Sequence, residues 1–414
     1  MALRAPLFAL VALVLPMAMP AQKPAADTLV ERARLIHKKV VTIDSHVDIP
    51  FHYASQFADP ARRDSFQVDY PKMKEGGLDA AFFIVYVGQG ARTRDGMEHA
   101  RDLALTKFAA IRRAVESHKS TIGFAIRADD VAKLARAGKL AGAIGIENGY
   151  VIGTDLSLIA RFHALGARYM TLTHNGTNEI GDPAINFPGD KPGEWGGLSP
   201  FGRQLVAEMN RVGMMIDISH NGKQTMLQAA ALSKSPVIAS HSGVRALAEH
   251  ARNLDDEQLD AIKKNGGVVQ CVALGAFVKN VSASREVEMR ALVARLGITL
   301  PADTAKLSPQ VRAAWSAGMR EIESKIPPAS VQDFVNHIDY VARRIGIDHV
   351  GISSDFDGDG GIVGWQDASQ TFNVTLELVK RGYSAADIEK IWGGNLVRVW
   401  KENERVAKAL QSSK

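Results

Sequence analysis

Apolar and β-branched runs recur along the chain at 40–46, 80–87, 143–147, 169–174, 214–220, 237–241, 267–272 and 350–355, each short enough to be one strand. Most are separated by stretches of helical periodicity, at 96–116, 156–164, 202–211, 223–232 and 255–264. Strands alternating with helices predict a parallel sheet, and eight such units predict a (β/α)8 TIM barrel. A further run at 121–126 could be an extra edge strand, which leaves an open doubly wound sheet as the alternative. Helical patterns at 285–296, 309–325 and 331–345 separate the seventh run from the eighth, so a helical excursion from the barrel is predicted at about 276–330.

The ends of these runs carry the chemistry. The first closes on Asp44, Ser45, His46, Val47 and Asp48, and in an extended strand His46 and Asp48 point the same way. Alone, that pair is more often a surface or turn feature than a metal site. Four later runs also end in a possible ligand, at Glu147, His174, His220 and His241, and a barrel brings every strand's carboxyl end to one face. Of the 12 histidines, His37, His99, His118, His163, His250 and His337 lie in polar helical surroundings and are expected to be solvated. Glu147 follows an apolar run, where a carboxylate needs a metal or an arginine partner to offset its burial. Asp355 begins a turn after the eighth run, where it can cap the loop or trade protons with a metal-bound water.

At 414 residues, 46% hydrophobic and 23% charged, the chain has ordinary globular composition. Arg4, the apolar stretch 5–15 and the small residues Ala18 and Ala21 read as a signal peptide over 1–21, leaving 22–414 as a single catalytic domain. Export to the periplasm, with no stable membrane anchor afterwards, is the expectation. The single cysteine, Cys271, sits in an apolar run and predicts a buried thiol, so metal ligation falls to histidines and carboxylates. A net charge of +5 is spread among 45 acidic residues without a basic block, which argues against nucleic acid as a partner.

The candidate ligands exceed what one tetrahedral catalytic zinc takes, which is three protein groups and a water. Two ions sharing a carboxylate, about 3.5–4 Å apart, fit better and can generate hydroxide at neutral pH. Segments 44–50, 145–149, 169–175, 216–220, 236–242, 252–253 and 354–358 resemble, in content and order, the membrane (renal) dipeptidase family of zinc metallopeptidases, amidohydrolase-like barrels. The resemblance spans roughly residues 40–400. It implies two Zn2+ per subunit, with His46 and Asp48 on one ion, His220 and His241 on the other, and Glu147 between them. It also implies that His174 contacts the substrate, that Arg252 receives its free carboxylate, and that Asp355 transfers the proton.

The expected activity is hydrolysis of dipeptides, L,L and L,D, by metal-bridged hydroxide, in a soluble homodimer. The alternatives are a barrel metallohydrolase acting on N-acyl amino acids, lactones or cyclic amides, and a silent periplasmic peptide-binding protein.

Overall fold

The structure is a computed structural model that describes residues 25–280, 282–298 and 308–413; the leader predicted at 1–21 lies outside the described residues. Its strands are β1 (Ile43–Asp48), β2 (Ala80–Tyr86), β3 (Ile122–Phe124), β4 (Leu140–Glu147), β5 (Ala167–Thr171), β6 (Met215–Asp217), β7 (Ile238–Ser242), β8 (Val268–Val272) and β9 (Val350–Ser353). They pair in parallel in the order β1-β2-β4-β5-β6-β7-β8-β9, with β3 attached to β4 off that path. The two ends of the path meet, because the Asp48 amide donates to the Phe356 carbonyl at 2.9 Å and the Ser354 amide to the Asp44 carboxylate at 3.0 Å. This is an eight-stranded, nearly closed (β/α)8 barrel, and the open doubly wound sheet is excluded.

Both faces of the strands are covered, which is why they read as continuous apolar runs. In β2, Phe82 and Ile84 turn into the barrel with Tyr169 and Met215, while Phe83 and Val85 join the outer core under the surrounding helices. Helices Arg94–Ser117, Ser157–Ala164, Pro200–Val212, Lys223–Leu232 and Asp256–Asn265 lie where the periodicity predicts them. The last is bounded by a capping box of Asp255 with Gln258 and by left-handed Gly266. Leu396, Val399 and Trp400, from the carboxyl-terminal helix Asn395–Ser412, pack against Ile43, Ala80, Met215, Ile238 and Val268, the first residues of their strands. Apolar packing thus shuts the amino-terminal end of the barrel and leaves the carboxyl end for chemistry.

Between β8 and β9 run helices Gly275–Val278, Ser282–Leu296, Pro309–Lys325 and Val331–Ile345. The last corrects one expectation, for its His337 is buried instead of solvated: Nδ1 accepts from the Val244 amide at 2.9 Å and Nε2 donates to the Val278 carbonyl at 3.0 Å. A histidine that satisfies two loop backbones is stable in an apolar setting, and sequence periodicity carries no sign of those long-range partners. Cys271 is a buried free thiol, as expected.

Candidate active site

A cavity of about 540 Å³ opens at the carboxyl ends of the strands, and Asp48, Glu147, His174, His220, His241, Arg252 and Asp355 all line it. Four of the sequence-predicted residues lie within strands, with Asp48 and Glu147 at the last positions of β1 and β4, His241 in β7 and His46 in β1. His46 points to the same interior from two residues earlier in β1. His174 and His220 lie three residues beyond β5 and β6, and Asp355 two beyond β9. His220 and Asp355 hold left-handed backbone, at φ 64° and 59°. Such conformations are unusual for non-glycine residues, and here they turn both side chains inward.

The polar atoms converge tightly. Nε2 of His220 and Nε2 of His241 are 2.9 Å apart and lie 3.0 and 3.4 Å from Glu147 Oε1, with His174 Nε2 at 3.8 Å from the same oxygen. On the other side, His46 Nε2 is 3.5 Å from Asp48 Oδ2, 3.7 Å from Glu147 Oε2 and 3.9 Å from Asp355 Oδ1. Three groups of potential ligand atoms result: His46, Asp48 and Glu147; Glu147, His174 and His220; His46, His241 and Asp355. Glu147 belongs to two of them.

The surroundings set the tautomers for metal ligation. Tyr169 Oη donates to the Ser45 carbonyl at 2.9 Å, so at 3.0 Å from His46 Nδ1 it acts as acceptor, and the His46 proton sits on Nδ1. In the neutral ring Nε2 of His46 then carries the lone pair, and this atom has no hydrogen-bond partner. Likewise Ser240 Oγ donates to Asp217 Oδ2 at 2.7 Å and accepts from His241 Nδ1 at 2.8 Å, which frees His241 Nε2. Asp217 is itself held by the Ser219 and Ser240 amides at 3.0 and 2.8 Å. Outer hydrogen bonds of this kind orient metal-binding imidazoles. Gly145 makes room for the first of them, because a side chain there would collide with the Tyr169 ring.

Electrostatics agree with that reading. Burial, reinforced by Arg252, holds His220 and His241 well below the ordinary histidine range, so both are neutral donors of a lone pair. Burial alone would do the same to His46, but the carboxylates of Glu147 and Asp48 outweigh it and hold this histidine well above that range. The site therefore draws positive charge toward Nε2. Burial raises Glu147, yet the histidines around it leave it well below a normal carboxyl. Asp355 goes the other way, pushed well up by burial against the opposing pull of His46. The residues present fit a pair of divalent cations.

Asp44 lies beneath this cluster. Burial lifts its carboxyl to about 6, against hydrogen bonds from Ser354 and the His46 amide that lower it, and Oδ2 has no partner. The native state then holds this proton more tightly than the unfolded chain. Its contribution is complete below about pH 4 and lost as the pH rises to about 6, a change of about 3 kcal/mol. Asp44→Asn keeps the accepting oxygen and removes that titration. In metal-free protein its Tm should exceed that of the wild type at pH 7 and approach it at pH 4; the same Tm difference at both pH values would rule this out.

Arg252 is fully buried beside Phe277, whose ring centroid is 5.4 Å from the guanidinium carbon. Its Nη2 donates to the His241 carbonyl at 3.2 Å, while Nε has no partner. Tyr86, Tyr169, Asp217 and Lys107 also shape the site, and the first three do not stand out from their own segments as candidates. Lys107 alone had an available signal, a lysine on the apolar stripe of its helix at Ala104, Lys107, Ile111 and Ala114.

A parallel barrel with histidines and carboxylates grouped at its carboxyl end is a metallohydrolase architecture. The chain belongs to the membrane dipeptidase family (peptidase family M19), which it matches over residues 30–414, and it is a metallo-dipeptidase. It is 34% identical to dipeptidase tcpJ of Claviceps purpurea over 348 residues, 82% of this chain and 70% of that one. An uncharacterised dipeptidase of Schizosaccharomyces pombe is 30% identical over 403 residues, 93% of this chain and 85% of that one. Among solved structures, the probable dipeptidase PvdM of Pseudomonas aeruginosa matches with a TM-score of 0.81 at 32% identity, covering 92% of this chain and all 100% of that chain.

Proposed function

We propose that the protein is a binuclear zinc dipeptidase that cleaves the single peptide bond of L,L and L,D dipeptides. The observation that carries this is that Glu147 belongs to two ligand groups, one with His46 and Asp48 and one with His174 and His220, while His241 Nε2 lies 3.4 Å from its Oε1: His46 and Asp48 would hold one ion, His220 and His241 the other, and Glu147 both. When bound, two such ions supply Lewis acidity, activating water at neutral pH and polarising the carbonyl.

The protein groups do the rest. Arg252 takes the substrate's carboxylate with its planar fork, in a buried setting where that charge-assisted bond is strong. His174, held neutral by burial, hydrogen-bonds the oxygen of the scissile carbonyl as it becomes tetrahedral. Asp355 takes a proton from the attacking water at its carboxylate and passes it to the leaving nitrogen. The free amine of the substrate would lie at the end of the dipeptide away from Arg252, near the metal ligands.

The first experiment is chelator-controlled release of amino acids from L,L and L,D dipeptides, with N-acetylated counterparts, by zinc-loaded protein. Hydrolysis of the free dipeptides alone is expected; cleavage of the blocked compounds alone would move the enzyme to the acyl-amino-acid hydrolases. Arg252→Met should raise KM about 10- to 100-fold, the loss of one charge-assisted bond, with zinc content retained. A KM within twofold of the wild type would remove Arg252 from carboxylate binding.

The leader-like pattern at 1–21 supports export, and no helix among the described residues is long and apolar enough to cross a membrane. A periplasmic homodimer without a membrane anchor is the proposed state.

A further inference from the structure

Lys107 is a buried cation of the cavity that the roles above leave unused. It sits on helix Arg94–Ser117, is only 4% exposed, and lines the cavity beside Asp48, Tyr86 and Glu147. Lysine is almost never buried so deeply without a partner. Here Nζ stands 5.0 Å from the ring centroid of Phe51 and 5.7 Å from that of Tyr86, and Asp48 and Glu147 act on it through space without a hydrogen bond. Burial pushes its pKa down, against the upward pull of those two carboxylates. Once Asp48 and Glu147 serve as metal ligands, little of their charge is left to offset an ammonium. Two rings and a depleted pair of carboxylates are a poor environment for a buried cation, and an anion arriving from the cavity would complete it.

The position of Lys107 decides which anion. Arg252 approaches Glu147 from the β7 side, and its charge is felt by His174, His220, His241 and Asp355. Lys107 approaches from the side of β1 and β2 and is coupled to Asp48 and Glu147 alone. The two cations thus stand in different parts of the cavity, Arg252 beside His241 and Phe277 and Lys107 beside Phe51 and Tyr86. Resting on the dipeptidase reading, which seats the terminal carboxylate at Arg252, we propose that Lys107 is a specificity residue that binds a side-chain carboxylate on the amino-terminal residue of the substrate. Tyr86, whose ring centroid is 4.7 Å from that of His174, forms the wall between this subsite and the scissile bond. The favoured substrates are dipeptides that begin with glutamate or aspartate.

The test compares isosteric pairs, Glu-Ala with Gln-Ala and Asp-Ala with Asn-Ala, on zinc-loaded enzyme. In the wild type, kcat/KM should favour the acidic member by at least tenfold in one pair, through KM. In Lys107→Met that ratio should collapse to about one, and in Lys107→Arg most of it should return. Because each ratio is internal to one preparation, partial misfolding of a variant does not distort it. A wild-type ratio near one, or a preference that survives in Lys107→Met, overturns the assignment while leaving the dipeptidase reading standing. Equal losses on both members of a pair overturn it too, since they would make Lys107 a support of the metal site. No chelator-sensitive cleavage of any dipeptide would overturn the dipeptidase reading and this assignment with it.

Discussion

Glu147→Gln is expected to abolish dipeptide hydrolysis, with kcat/KM down by at least about 10³-fold and fewer than two ions retained per chain. Among the described residues, Glu147 is the only carboxylate with oxygens within 4 Å of both histidine clusters, Oε1 near His220 and His241 and Oε2 near His46. The amide would replace a shared anion by a neutral group whose NH2 competes for lone pairs that an ion needs. Metal content by mass spectrometry, measured with activity, separates loss of ions from loss of fold. A variant that kept two ions and activity within tenfold of the wild type would remove Glu147 from the bridge.

Asp355→Asn should behave differently. As the proton-transfer group it should keep both ions while kcat falls about 10²- to 10⁴-fold with KM little changed. Burial raises the Asp355 carboxyl well above its ordinary value. The wild type should therefore gain activity with rising pH through an acid limb displaced upward from that of a free aspartate, and the Asn variant should lack it. Asp355 also lies in a potential ligand group with His46 and His241. Loss of an ion from this variant would accordingly reassign Asp355 as a ligand and empty the proton-transfer role.

The strands were legible because both of their faces are buried, so β2 and β4 read as unbroken apolar runs whatever their partners. The site followed because a barrel gathers strand ends, which made His46, Glu147, His174, His220 and His241 neighbours before any distance was known. Boundaries were less legible: the run predicted at 214–220 shrinks to Met215–Asp217, since the left-handed turn that aims His220 depends on contacts with residues 182–184. Tyr169 reads as an ordinary core aromatic, and its bond to His46 crosses the barrel from β5 to β1. Asp217 reads as an interior position of the run at 214–220, and it both ends β6 and anchors Ser240. His337 was misjudged for the same reason, as the amide and carbonyl that satisfy it come from Val244 after β7 and from Val278 at the end of a short helix.

The seam that closes the barrel also orders events during folding. Asp48 is set by the hydrogen bond its backbone amide donates to the Phe356 carbonyl, and Asp355 is the residue before Phe356, so the first-strand half of the site joins groups separated by about three hundred residues of chain. Contacts of such sequence separation form late, after the loop-closure entropy of everything between them has been met. A chain still being synthesised has no finished site to fill. Metal loading thus waits until the last strand has docked against the first.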